Sequence, residues 1–203
     1  GIMSALSEAT VQYGIARRLE EQFGWVFSED EDLGRPLDQV FRFEDLEPAL
    51  IRLNPEIAED PVRVEQVLAK LRAVLLSVGN DGLVTANEEF VQWLCARRVV
   101  RYIGMDRDSQ VRLIDFENPR SNDLKVTTEA TFHAGREHRR FDLVLWVNGL
   151  PLVVGETKAP AKVNLSWLNG ATDIHNGYEV KVPGFFVPNV LSFATEGREF
   201  RYG

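Results

Sequence analysis

Residues 140–158 read RFDLVLWVNGLPLVVGETK, and no other stretch narrows so far what the chain can fold into. Asn148-Gly149 sits between two apolar runs, 143–147 and 150–154. Asn-Gly flanked by such runs is the strongest short-range hairpin signal, because both central residues of a tight hairpin turn need positive φ. Neither run alternates cleanly with polar residues, the pattern of a central strand pair covered on both faces. Charge stands only at the far ends: Asp142 on the first strand, Glu156 and Lys158 on the second. A hairpin brings those ends together.

Register decides whether the charges meet. Under a plain two-residue loop, Asp142 pairs with Gly155 and Glu156 points to the opposite face. A three-residue loop over 148–150, or an equivalent bulge, sets Asp142 across from Glu156, with Lys158 on their shared face. Bulges are frequent beside active sites. A catalytic hairpin here therefore requires the odd register.

Two carboxylates converging at strand ends supply hard oxygen ligands for Mg²⁺. A lysine beside them can orient a water, offset transition-state charge, or act as a base if its pKa is lowered. The backbone carbonyl of Thr157 is a further candidate ligand. From spacing alone, a surface Glu156–Lys158 pair beside an unrelated Asp142 reads the same way. The apolar strands favour the site, since a charge ending such a strand needs a reason.

The rest of the chain has ordinary punctuation. Val11, Ile15, Leu19 and Phe23 recur every four residues and predict a helix over 7–23, closed by Gly24. Residues 25–42 read as irregular. Helices follow over 43–53, from Pro61 to about Ser77, and over 86–97, with a turn at 79–82. The period then changes to that of strands, expected over 111–116, 124–132 and the hairpin. Residues 165–178 suit a helix, and 185–187, 190–194 and 200–202 suit closing strands. Helices against a mixed sheet make this an α/β (α+β) chain. With 203 residues and no linker or repeat, a single domain over 1–203 is expected, helix-rich to about residue 100 and sheet-rich after it.

The net charge of −8 argues against a chain that grips nucleic acid alone. Basic residues nevertheless gather at Arg97, Arg98 and Arg101, and at Arg136, Arg139 and Arg140, just before Asp142. Both groups read as solvated surface or as phosphate contacts. One cysteine, Cys95, excludes an internal disulfide framework and fits a reducing cytoplasm. Its apolar neighbours suggest a buried, inert thiol. No run of about 18 apolar residues is present, so no membrane span is expected.

The stretches SEATVQYGIARRLEEQFGW, LIRLNP, VRLIDFENPRSNDLKV, RRFDLVLWVNGLPLVVGETKAP and VPNVLSFATEGREFRYG together cover nearly the whole chain. They resemble the N-terminal nuclease domain of the restriction (R) subunit of type I restriction–modification enzymes, within the PD-(D/E)xK nuclease superfamily. The resemblance implies a restriction-endonuclease-like fold and a Mg²⁺-dependent endonuclease that cuts double-stranded DNA. It maps the family's Asp, Glu and Lys onto Asp142, Glu156 and Lys158. A metal-assisting acid of the first helix falls on Glu8, or on Gln12, which is not acidic. DNA contacts fall on Tyr178, His175, Arg139 and Arg140. Phe141 stands where a proline is common, and Ile174 occupies the slot of a glutamine. In an intact subunit an ATP-driven motor would follow, and methylation and specificity subunits would supply sequence recognition. The chain itself carries no G-x-x-x-x-G-K-[ST] phosphate loop. A nuclease-like fold with latent activity, serving for docking or DNA binding, is the other reading.

Overall fold

The computed structural model describes residues 8–29, 34–157, 183–195 and 200–202. The first helix, α1 (Glu8–Phe23), follows from its four-residue apolar recurrence, and Gly24 ends it at φ 73°. Val11, Gln12 and Ala16 are buried, whereas Phe23 at the helix end is exposed. A short strand, β1 (Val26–Glu29), follows. Four helices then fill the stretch to residue 94: α2 (Phe43–Leu53), α3 (Pro55–Glu59), α4 (Val64–Leu76) and α5 (Val78–Leu94). Proline opens α3 and the 3₁₀ turn Pro61–Arg63, where its missing N–H costs nothing.

Two short strands, β2 (Val99–Val100) and β3 (Ser109–Gln110), pair with each other. The main sheet adds β4 (Leu124–Ala134), β5 (Glu137–Val147) and β6 (Leu150–Thr157). A short helix, α6 (Pro183–Phe186), then leads to β7 (Leu191–Thr195) and β8 (Phe200–Tyr202). The strand order is β1-β4-β5-β6-β7-β8. β1 runs parallel to β4 and β6 parallel to β7, while the other neighbours are antiparallel.

The sheet is covered on both faces. On one, Ala16 of α1 packs on Val126 and Leu143. On the other, Leu46, Leu50, Leu68, Leu71 and Phe90 of the helical half meet Val144, Trp146, Leu150 and Val154. Phe185 of α6 stacks on Phe141 with ring centroids 4.6 Å apart. Double coverage explains why the two hairpin strands lack polar alternation.

Four expectations need correction. Residues 111–116 form no strand; instead the buried Asn54 side chain accepts from the Arg112 amide at 2.8 Å and donates to the Arg112 carbonyl at 2.9 Å. A side chain thereby takes the hydrogen bonds a strand partner would make. Residues 185–187 are not a strand, because Phe185 and Phe186 belong to α6. The helix expected over 86–97 ends at Leu94, which leaves Cys95 exposed rather than buried. Finally, 25–42 is not wholly irregular, since it contains β1. The turn expected at 79–82 survives as a break inside α5, where Gly82 has φ 82° and ψ 167°. The helix expected over 165–178 lies outside the described residues.

Candidate active site

The hairpin tip is a two-residue turn, with Val147 paired to Leu150. Asn148 and Gly149 have φ of 50° and 79°, the left-handed pair such a turn requires. The tip is buried. The Asn148 side chain donates to the Leu113 carbonyl (2.8 Å) and to Asn122 Oδ1 (2.9 Å), and accepts from the Asp123 amide (2.8 Å). The carbonyl of Gly149 accepts from the Arg42 amide at the start of α2, at 2.9 Å.

The register changes after the tip. Trp146 pairs with Pro151 but Leu145 pairs with Val153, so Leu152 is an extra residue on β6. The Leu152 carbonyl is taken by the Val190 amide at 2.8 Å and by Asn189 Nδ2 at 3.3 Å. Beyond this bulge Leu143 pairs with Gly155. One residue further along, Asp142 stands opposite Glu156. The odd register is present, and the bulge produces it rather than a longer loop.

Asp142 is half-buried, and Glu156 is 4 % exposed. Asp142 Oδ2 accepts from the Thr157 amide at 2.8 Å and from Thr157 Oγ1 at 3.2 Å. Among the described residues no hydrogen bond reaches Oδ1, so one carboxylate oxygen is anchored and the other is available. Thr157 is fully buried, and pairs with Thr195 of β7.

The start of α1 reaches the same level of the sheet. Tyr13 donates its hydroxyl to Glu29 Oε1 at 2.5 Å; Glu29 pairs with Thr128, and Thr128 with Leu143. By accepting that hydrogen bond, and through its negative charge, Glu29 raises the Tyr13 phenol above its ordinary pKa. Gln12, one residue earlier, is buried, and its Oε1 has no hydrogen-bond partner among the described residues. Such orphaned acceptors are rare in folded proteins. Gln12 thus leaves a buried amide oxygen on α1 free of any described partner. Carboxylate, amide and backbone oxygens are the ligand set that suits Mg²⁺.

Glu8 opens α1, but its side chain lies outside the described residues, as do Lys158, His175 and Tyr178. Among the described residues, no three His, Cys, Asp or Glu side chains gather as a metal-binding group. Arg139 and Arg140 lie on β5 beside the site. Arg139 pairs with Glu137 at 3.7 Å and Arg140 with Glu129 at 3.8 Å. In the other basic group, Arg98 makes two 2.7 Å bonds to Glu89, and Arg101 pairs with Asp108 at 3.0 Å. Sequence reading missed the burial of Gln12, and it allowed for a bulge without placing it. The bulge had a signal: Pro151 lies in a central strand, where proline is confined to strand starts and bulges.

A mixed α/β fold with an aspartate midway along β5 across from a glutamate near the end of β6 is what the structure defines. The family described as "Type I restriction enzyme R protein N terminus" matches residues 5–203, and the chain belongs to it. The chain is 28 % identical over 209 residues to the type I restriction enzyme HindI endonuclease subunit of Haemophilus influenzae, covering 98 % of this chain and 19 % of that protein. It is 26 % identical over 154 residues to a putative type I restriction enzyme MjaIXP endonuclease subunit of Methanocaldococcus jannaschii, covering 71 % of this chain and 14 % of that one. The chain therefore spans less than a fifth of the length of the relatives it matches. No described helix is long and apolar enough to cross a membrane.

Proposed function

We propose that the chain is the Mg²⁺-dependent nuclease domain of a type I restriction subunit, a single domain over 1–203 that hydrolyses phosphodiester bonds of double-stranded DNA. The observation that carries this reading is the Asp142 carboxylate, anchored through one oxygen to Thr157 and set opposite the buried Glu156. Neighbouring strands of one sheet hold both acids, Asp142 midway along β5 and Glu156 near the end of β6.

Asp142 Oδ1, Glu156 and the Thr157 carbonyl would hold the ion, with Gln12 Oε1 and Glu8 as further oxygen donors from α1. A bound Mg²⁺ supplies Lewis-acid chemistry: it offsets charge building on the phosphodiester and lowers the pKa of water. Thr157 keeps Asp142 from turning away, which conserves the geometry when the site is charged. Lys158 steadies the attacking water and the negative charge that develops on the phosphate. Arg139 and Arg140 contact DNA phosphates, and His175 and Tyr178 add contacts from the segment after Lys158. Those arginines must exchange Glu137 and Glu129 for phosphate, which loose ion pairs of 3.7 and 3.8 Å permit. The acidic net charge then reflects a division of labour. An ATP-driven motor elsewhere in the subunit and the methylation and specificity subunits hold and select the DNA, in the cytoplasm.

A second reading is favoured by one observation, the carboxylates that occupy Arg139 and Arg140: a latent nuclease fold used for DNA binding or subunit docking. Titration of Mn²⁺ into the 203-residue chain and into Asp142→Ala separates the two. Saturable binding lost in the variant supports the nuclease. Indistinguishable titrations favour the latent module.

A further inference from the structure

Glu129 holds a backbone conformation its residue type disfavours. It lies within β4, yet its φ is 58°, in the left-handed region. Residues held there persist only when the surroundings over-determine them, and they cluster at functional sites. The rung that holds Glu129 also holds Asp142. The flanking pairs are Thr128 with Leu143 and Ala130 with Phe141.

Both strands change phase at this rung. On the turn side, Val144 and Trp146 face the large core, and Thr127 joins them by accepting from Trp146 Nε1 at 2.9 Å. Val126 and Leu143 face α1. On the other side, Ala130, Phe132 and Phe141 face the large core. Unbroken alternation would put Asp142 with Val144, and Glu129 with Thr127, under that apolar face. The left-handed residue interrupts the alternation. Asp142 is left half-buried, with its carboxylate directed sideways to the main chain of β6.

The Glu129 side chain does not account for this. It is exposed and its pairing with Arg140 is 3.8 Å long, an arrangement that contributes little. We propose that Glu129 is a positioning residue for the carboxylate site. Its left-handed backbone, and not its carboxylate, turns Asp142 out of the core alternation and onto Thr157. The inference rests on the nuclease reading above for its function, but its geometry can be tested separately.

The experiment compares Glu129→Gly, Glu129→Asn and Glu129→Val in the 203-residue chain. All three remove the carboxylate. Glycine and asparagine accept positive φ, whereas valine does not. Mn²⁺ affinity, thermal unfolding and hydrogen exchange at the Thr157 amide are measured for each. Glycine and asparagine variants should bind Mn²⁺ within about twofold of the parent and unfold at the same or a higher temperature. The valine variant should bind about tenfold more weakly and lose protection at the Thr157 amide. Loss of binding in the glycine variant, or parental binding in the valine variant, overturns the proposal. If valine prevents folding, glycine and asparagine decide alone: retained binding supports the proposal and lost binding refutes it. If the parent chain shows no Asp142-dependent binding, the nuclease reading fails separately. Thr157 amide protection then decides the positioning role, kept in glycine and lost in valine if the proposal holds, alike in both if it does not.

Discussion

Asp142 accepts two hydrogen bonds from Thr157 through a single oxygen, Oδ2, at 2.8 Å from the amide and 3.2 Å from Oγ1. The amide bond survives any substitution that keeps β6 paired, while the hydroxyl bond depends on the side chain. Thr157→Val removes the hydroxyl at nearly constant volume and leaves Asp142 held by one bond. Mn²⁺ affinity should fall by about tenfold, in the range found when a supporting hydrogen bond to a ligand is lost. Thr157→Ser should retain most of the affinity, as read by the same titration.

The hairpin tip admits almost no change. A β-carbon on Gly149 would lie 2.3 Å from the Arg42 carbonyl oxygen, at a residue whose φ is 79°. Gly149→Ala therefore combines backbone strain with a clash against backbone that cannot move aside. It should destabilise the chain by more than ~2 kcal/mol, seen as a thermal midpoint lowered by at least ~5 °C. Asn148→Gly keeps the turn's φ but strands the Leu113 carbonyl and the Asp123 amide, at a cost of about 1–3 kcal/mol.

Acid sensitivity has identifiable sources. The amide of Asn118 and the hydroxyl of Ser121, with the Glu117 amide, hold the Asp115 carboxyl below its ordinary pKa. The Arg98 guanidinium does the same for Glu89. A carboxyl depressed in the folded chain stabilises it above the ordinary carboxyl range. That contribution fades as pH falls through the depressed value. Asp115→Asn keeps the acceptor but removes the charge. Its urea midpoint should lie below the parent's at neutral pH, and the gap should narrow below about pH 4. A gap that stays constant with pH would assign the depression elsewhere.

Much of the fold was legible because the signals were local. The recurrence in α1, the pattern of α2 and the Asn148-Gly149 turn each declare themselves within a few residues. What could not be read depends on distant partners. Residues 111–116 look like a strand, but Asn54 takes their hydrogen bonds. Period-two reading places Val126, Ala130 and Phe132 on one face of β4. The left-handed Glu129 sends Val126 to the α1 side and the other two to the large core. The register requirement for Asp142 and Glu156 was readable from the charges. A bulge was one of the two sources open from the sequence, but its place at Leu152, held by Val190 and Asn189, was hinted at only by Pro151.

The central proposal is that Asp142, Glu156 and Lys158 cut DNA while another part of the subunit spends ATP. The most direct measurement uses the intact restriction subunit assembled with its methylation and specificity partners. Plasmid cleavage and ATP hydrolysis are followed together for the parent, Asp142→Ala and Lys158→Ala. Cleavage should fall by at least about a thousandfold in both variants with ATP hydrolysis unchanged. Parental cleavage by either variant would contradict the account.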